Sequence, residues 1–319
     1  MFEGDDHIFP AKPEFAIDKK RSNWVKTFVS IAFFIAAFMV LFSGSYLLIL
    51  EITGILLIHE LGHFLMMKKY GYHAVNMFFI PLFGAFVTGE KLSVSQRQKF
   101  WISIMGPLPG ILLGTVGLIY ALNADEPTHL FQLSALLLGI NLLNLIPLDP
   151  LDGGNIVSCL FFPSKDEVKM YFALISSLIM IVLGVYFELY VITIFGFFMS
   201  LKVRGFQKNL KIHKNLEEEE VDYKKPYEDL SNKEYWTIRR IFLENNPKIK
   251  EIIPDDFSLW ENEKLIVEQV RQILKLEVRE DLSLTQKISY FFLFLALLLI
   301  PSFIVLSNLS NILAYFAIQ

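Results

Sequence analysis

The sequence predicts an all-α polytopic membrane protein of about seven transmembrane helices, with a small membrane-embedded β segment and a soluble, mainly helical insertion. Three observations predict it. Hydrophobic residues make up 54% of the 319, and the mean hydropathy is +0.46, above the roughly 45–50% apolar content of soluble domains. Charged residues make up only 19%, which leaves several uncharged stretches near the roughly 20 residues that a helix needs to cross a bilayer. Most of the charge is gathered in one block, 203–284, which includes Glu217, Glu218, Glu219 and Glu220.

The net charge of −4 gives no argument for a nucleic-acid partner. A single cysteine, Cys159, excludes an intramolecular disulfide framework and a cysteine-cluster metal site.

Taken in order, residues 1–25 form a polar arm ending near Lys19, Lys20, Arg21 and Lys26. No short apolar core precedes a small-residue cleavage site there, so the first hydrophobic stretch is expected to be kept as a helix. That first span runs from about Val25 to Phe42 and is broken at Ser43-Gly44-Ser45. The second runs from about Tyr46 to Met67 and stops at Lys68-Lys69. The interval to about Gln98 contains Phe83-Gly84-Ala85-Phe86-Val87-Thr88-Gly89, whose glycines and β-formers suit short strands or a hairpin.

A third span is expected at 100–122 and a fourth at 130–147, followed by a proline- and glycine-rich turn at 147–154. The apolar stretch 168–202 is too long for one crossing; Tyr186-Phe187-Glu188 divides it into a fifth span and a short sixth. The block 203–284 reads as a soluble domain, with capping-box openings at Ser231-x-x-Glu234 and Ser258-x-x-Glu261. A last apolar segment, about 287–307, belongs to the C-terminal transmembrane part, 285–319.

Orientation follows from the loops that carry lysine and arginine. With a cytoplasmic N-terminus, the basic clusters at 19–26, 68–69, 91–99, 165–169 and 202–214 all fall inside. Asp125-Glu126 and Glu188 then fall outside, and seven crossings leave the C-terminus outside. The expected arrangement is a cytoplasmic arm (1–25), a transmembrane core (26–202), a cytoplasmic domain (203–284) and the terminal span, in the cell membrane.

The sharpest signal is His59-Glu60-Leu61-Gly62-His63. Histidines four apart share a helix face and can reach one Zn²⁺, and the glutamate beside the first can act as general base. Ionisable side chains inside an apolar span are expensive, and a dication compensates for them. The competing reading is a solvated helix end, since Lys68-Lys69 follow closely.

A catalytic zinc usually has three protein ligands. His7, His73, His129 and His213 are poorly placed by sequence, which points to a carboxylate. The segment Asn144-x-x-Pro147-x-Asp149-Pro150-Leu151-Asp152-Gly153-Gly154 offers two, Asp149 and Asp152, at the cytoplasmic end of the fourth span. Glu51, eight residues before His59 and on nearly the same face, either lies behind the site or marks the wet end of its span.

These two segments resemble the site-two protease family of intramembrane metalloproteases. The resemblance implies a zinc helix at His59–His63 with Glu60 as general base, and Asp152 rather than Asp149 as the third ligand. It extends to Gly106-Pro107 and to the β segment Phe83–Val87, and it covers roughly 45–160. It implies one zinc per chain and, for Asn144, a donor to substrate or oxyanion; a packing amide is the alternative. Two departures stand out: Leu108-Pro109-Gly110 follows the glycine-proline, where an asparagine is common, and Asp149 replaces a common proline.

The activity expected is hydrolysis of peptide bonds in or near the transmembrane helix of a membrane-tethered substrate, in the bilayer. The strand edge around Gly84, Ala85 and Phe86 would pair with an extended substrate backbone. The alternatives are a non-catalytic membrane scaffold or chaperone of the same fold, and a zinc-binding transporter or sensor.

Overall fold

The computed structural model describes residues 9–15, 24–41, 46–81, 84–91, 93–123, 129–253, 258–275 and 278–318. The expected break at 43–45, the basic residues 19–21, Phe83, His7 and Asp125-Glu126 lie outside the described residues.

Helix α1 (Trp24–Leu41) and helix α2 (Tyr46–Lys69) lead into an antiparallel hairpin of β1 (His73–Ile80) and β2 (Gly84–Glu90). Alternation in β1 buries Val75, Met77 and Phe79 against Phe34 of α1 and Phe64 of α2. The other edge of β1 is closed by α1: Thr27 Oγ1 donates to Met77 O at 2.9 Å, and Phe79 N donates to Ser30 Oγ at 3.2 Å. β2 opens on Gly84 with φ +89°, a backbone region that favours glycine. Among the described residues β2 pairs with β1 alone.

The expected third span is two helices, α3 (Gln96–Met105) and α4 (Pro107–Leu122). Ser95 and Gln98 form a capping box that starts α3 six residues after β2. Pro107 has no N–H and takes the first position of α4, so the helix bends there without ending its course. Helix α5 (His129–Asn144) packs along α4 and stops three residues short of the expected end. The turn after it was expected to reach 154, but helix α6 (Asp152–Phe161) already begins at Asp152. The sequence reading missed this helix because its two leading glycines and the nearby prolines read as a loop.

Helices α7 (Asp166–Tyr186) and α8 (Tyr190–Glu218) turn at Phe187-Glu188-Leu189, where the break was expected. The expected short sixth span is the first half of α8, one 29-residue helix whose second half, with Lys202, Arg204 and Lys208, leaves the apolar zone. It carries Ile212 and Leu216 into a separate core with Trp236, Ile238 and Leu243 of α9 (Asn232–Glu244) and Val267 and Val270 of α11 (Glu263–Ile273). A single 3-10 turn at Tyr227–Asp229 and the short α10 (Pro247–Lys250) complete this unit.

Ser231 and Glu234 form the expected box at α9, but the one expected at Ser258-Glu261 does not form. Helix α11 starts two residues after Glu261, at Glu263, whose carboxylate gathers three donors. It receives Arg239 Nε at 2.7 Å, Tyr235 Oη at 2.5 Å and the Trp260 N–H at 3.0 Å. Burial raises the Glu263 carboxyl, but the hydrogen bonds from Arg239 and Tyr235 outweigh it and hold the group below its usual range.

The arm residues 9–15 strap this unit. Trp236 Nε1 donates to Pro10 O at 2.6 Å, and Tyr227 Oη donates to Pro13 O at 2.8 Å. Lys12 Nζ reaches the carbonyls of Tyr227, Glu228 and Leu230 at 2.5–3.1 Å.

Helices α12 (Leu284–Ser307) and α13 (Leu309–Ile318) return to apolar sequence. Phe294 of α12 joins the core around Phe100, Ile104, Leu138 and Ile156. By length and hydropathy, four stretches are able to cross a membrane: Tyr46–Lys69, Gln96–Leu122, Asp166–Tyr186 and Leu284–Ser307; Trp24–Val40 and His129–Asn144 are shorter apolar helices. Their outward faces carry Val116, Val182, Val185 and Phe303, each more than half exposed, as lipid-facing helices do. The protein is a mostly helical integral membrane protein with a small two-stranded sheet.

Candidate metal centre

The centre is built where α2, α3, α5 and α6 meet behind β2. Helical spacing sets His59 and His63 on one face of α2, with their Nε2 atoms 3.1 Å apart. The carboxylate of Asp152, the first residue of α6, enters from the other side: Asp152 Oδ2 lies 3.0 Å from His59 Nε2 and 3.2 Å from His63 Nε2. Among the described residues these three form the one group of histidines, cysteines and carboxylates able to hold a metal ion.

The two histidines are oriented from behind. His59 Nδ1 lies 2.8 Å from Asn141 Oδ1, and His63 Nδ1 lies 2.7 Å from Ile102 O. Both oxygens accept, so both Nδ1 atoms donate, and the lone pair of each neutral ring sits on Nε2. Two Nε2 lone pairs and a carboxylate oxygen therefore converge on one point, an arrangement that only a positive charge relieves. This donor set and its outer hydrogen bonds fit zinc.

Close approach enforces the geometry. A Cβ on Gly106 would lie 2.2 Å from His63 Nε2, and one on Gly110 would lie 2.0 Å from Asn141 Nδ2. Gly106-Pro107 and the unexpected Gly110 thus leave room for one ligand and for the partner of the other.

Glu60 is buried at 4% exposure, and its Oε2 has no hydrogen-bond partner. It opens on a cavity of about 250 Å³ lined by His59, His63, Asp152, Asn144, Asn155 and the strand residues Ala85, Phe86 and Val87. Of the residues expected from sequence, Glu60, His59, His63, Asp152, Asn144, Ala85 and Phe86 therefore share one cavity, and Gly84 begins the strand beside it. Asn144 Nδ2 donates to Ile140 O at 3.1 Å.

Asp149 stands apart, with both carboxylate oxygens on Lys202 Nζ at 2.9 and 3.0 Å. Glu51 accepts from Gln132 Nε2 at 3.0 Å. His213 is spent on Ile273 O, and His73 and His129 are exposed at element starts. Asn141 was missed; its one signal is an amide in the middle of an apolar span.

Residues 47–126 match the model of peptidase family M50. The chain is 31% identical over 116 residues to a zinc metalloprotease of Methanocaldococcus jannaschii, covering 35% of this chain and 33% of that protein. It is 31% identical over 128 residues to stage IV sporulation protein FB of Bacillus subtilis, covering 40% and 44%. The chain thus spans between a third and a half of the length of these curated relatives. A solved site-2 protease from Methanocaldococcus jannaschii aligns with a TM-score of 0.41 at 22% identity, over 56% of this chain and 87% of that one. The segment that carries the histidine pair is thus similar to peptidase family M50 and to part of each of these two relatives, one of them a zinc metalloprotease.

Proposed function

We propose that this protein is an intramembrane zinc metalloendopeptidase that hydrolyses peptide bonds in or near the transmembrane helix of a membrane-tethered substrate. One observation carries the reading: three ligand atoms converge beside a buried carboxylate, Glu60, whose Oε2 has no hydrogen-bond partner. His59, His63 and Asp152 would hold one zinc. When bound, zinc supplies a Lewis acid that acidifies water and polarises a carbonyl.

Glu60 takes the proton of the attacking water on its free oxygen and delivers it to the leaving amine. Asn144 lines the same cavity and would donate its second amide hydrogen to the substrate carbonyl. The unpaired edge of β2 supports strand addition: a helical substrate hides its amides, and Ala85 to Val87 offer backbone partners beside Glu60 once it unwinds. A base in this position argues against a scaffold or a transporter, neither of which needs one.

We further infer seven crossings: α1, α2, α3–α4, α5, α7, the first half of α8, and α12. The polar arm and the unit at 203–284 both lie on the cytoplasmic side. Support comes from the docking of residues 9–15 on Tyr227 and Trp236, which requires both on one side of the bilayer. The cell membrane is the expected location, with the lysine-rich ends of α2, α3 and α7 inside.

The test is cleavage of single-span substrates in detergent by wild type and Glu60→Gln, with bound zinc measured on both. Cleavage should fall by at least about 10²-fold in the variant while one zinc remains. Wild-type protein purified without chelator and holding no zinc would overturn the reading.

A further inference from the structure

A second cavity, of about 220 Å³, adjoins the catalytic one. Met67, Ile102, Ser103 and Asn155 line both, so the two share a boundary one helical turn beyond His63, towards Lys68-Lys69. What distinguishes the second cavity is its charge. Lys99 of α3 and Lys169 of α7 line it, together with Ser158 and Tyr72.

The charged groups acting on Lys99 are Lys169, Lys275 and Asp166, so three ammonium groups face one carboxylate. That carboxylate is already engaged: Lys275 Nζ lies 2.5 Å from Asp166 Oδ2, and Lys169 Nζ lies 3.4 Å from Oδ1. Lys169 also donates to Pro163 O at 2.6 Å. Lys99 is half-buried, and its ammonium makes no hydrogen bond or ion pair among the described residues. Apolar walls such as Ile102 and Pro163 focus this surplus positive charge.

The strand edge leads there. Ala85 and Val87 line the catalytic cavity, and Gly89 lies against Met67 and Tyr72, where an added Cβ would meet their side chains at 3.2 and 3.3 Å. A peptide laid along β2 from Ala85 towards Gly89 passes from one cavity to the other, about 13 Å at 3.3 Å per residue.

We propose that this second cavity is a specificity pocket for an acidic side chain of the substrate. The carboxylate is received by Lys99, two to four residues from the cleaved bond on its cytoplasmic side. The proposal rests on the protease reading above. A lipid phosphate would satisfy the same charge, but the shared wall and the strand edge favour the peptide.

The test uses single-span substrates carrying one Glu, Gln or Lys at successive positions, one to five, on the cytoplasmic side of the cleaved bond. They are assayed in detergent and in phosphatidylcholine vesicles with and without phosphatidylglycerol. At one or two positions, two to four residues from the bond, wild type should prefer Glu over Gln by about tenfold in kcat/KM. Lys99→Glu should reverse the order and favour Lys at the same positions, a swap that loss of packing cannot produce. Independently, Glu60→Gln should bind the Glu peptide more tightly than the Gln peptide, by a margin that shrinks with salt.

Equal cleavage of Glu and Gln throughout, or a Glu preference that survives Lys99→Glu, overturns the pocket. So does a rate that follows phosphatidylglycerol whatever the substrate charge, which would assign the lysines to a lipid headgroup. If wild type holds zinc and cleaves nothing, the protease reading suffers; the binding arm still decides the pocket.

Discussion

Replacing Asn141 by leucine tests whether the hydrogen bonds behind the histidines hold the metal centre. Asn141 and His59 are 1% and 4% exposed, so water does not replace the lost oxygen. The variant leaves His59 two courses. Its Nδ1–H stays as an unsatisfied buried donor, costing about 1–3 kcal/mol, or the proton moves to Nε2 and removes the lone pair from the cluster. Either way zinc binding weakens. Removing the outer partner of a ligating histidine typically costs about 10–100-fold in affinity, or about 1.4–2.8 kcal/mol at 1.4 kcal/mol per tenfold, and the two figures agree.

Competition with a chromophoric chelator in detergent measures the zinc affinity, with circular dichroism as the check on folding. Asn141→Asp supplies an acceptor at the same 2.8 Å contact and should bind zinc at least as well as the leucine variant by a factor of ten. A folded Asn141→Leu protein with wild-type zinc affinity would refute the orienting role.

Two further substitutions bear on the centre and on the soluble unit. Gly106→Ala would place a Cβ 2.2 Å from His63 Nε2, whereas Gly54→Ala on the same span as the histidines meets nothing within 4 Å. The first should lose zinc with its helix content intact, and equal zinc retention by both would sink the close-packing argument. Glu263→Gln breaks the buried pair with Arg239 and should cost the α9–α11 unit about 3–5 kcal/mol at neutral pH, read as lost amide protection in hydrogen exchange. The folded Glu263 carboxyl lies below its ordinary value of 4.5, so its stabilisation is full above that pH and is lost as pH falls through the lower folded value. The deficit of the variant should therefore shrink in acid; an unchanged deficit at low pH would contradict the assignment.

The helices and the histidine pair were legible because their signals are local. An apolar run has to be about as long as a bilayer is thick, and two histidines four apart share a face wherever the helix lies. The hairpin was legible for the same reason, from Val, Phe and Thr between glycines. What stayed illegible depends on contacts distant in sequence. Helix α6 begins within a run of prolines and glycines because Gly153 and Gly154 lie against the carbonyls of Leu145 and Leu148, an approach that no window of sequence shows. The capping box expected at Ser258 and Glu261 does not form because the helix starts later, at Glu263, a residue bound to Arg239, 24 residues earlier. The length of α8 was hidden because its hydropathy changes at Lys202 while its backbone does not.

Asn141 shows where the limit falls. In sequence it is one amide in a leucine-rich span, with Asn144 three residues on equally able to face the site. Only the packing separates them: Gly110 on the neighbouring helix leaves space for the Asn141 amide, whose oxygen then meets His59 Nδ1, while Asn144 turns to the cavity wall. The leucine-proline-glycine that departs from the common pattern after Gly106-Pro107 therefore supplies, through Gly110, the space that Asn141 occupies. The orienting amide comes from α5 and not from α4. The imidazole requires an acceptor at Nδ1 and is indifferent to which helix provides it, so packing and not position in the sequence selects Asn141.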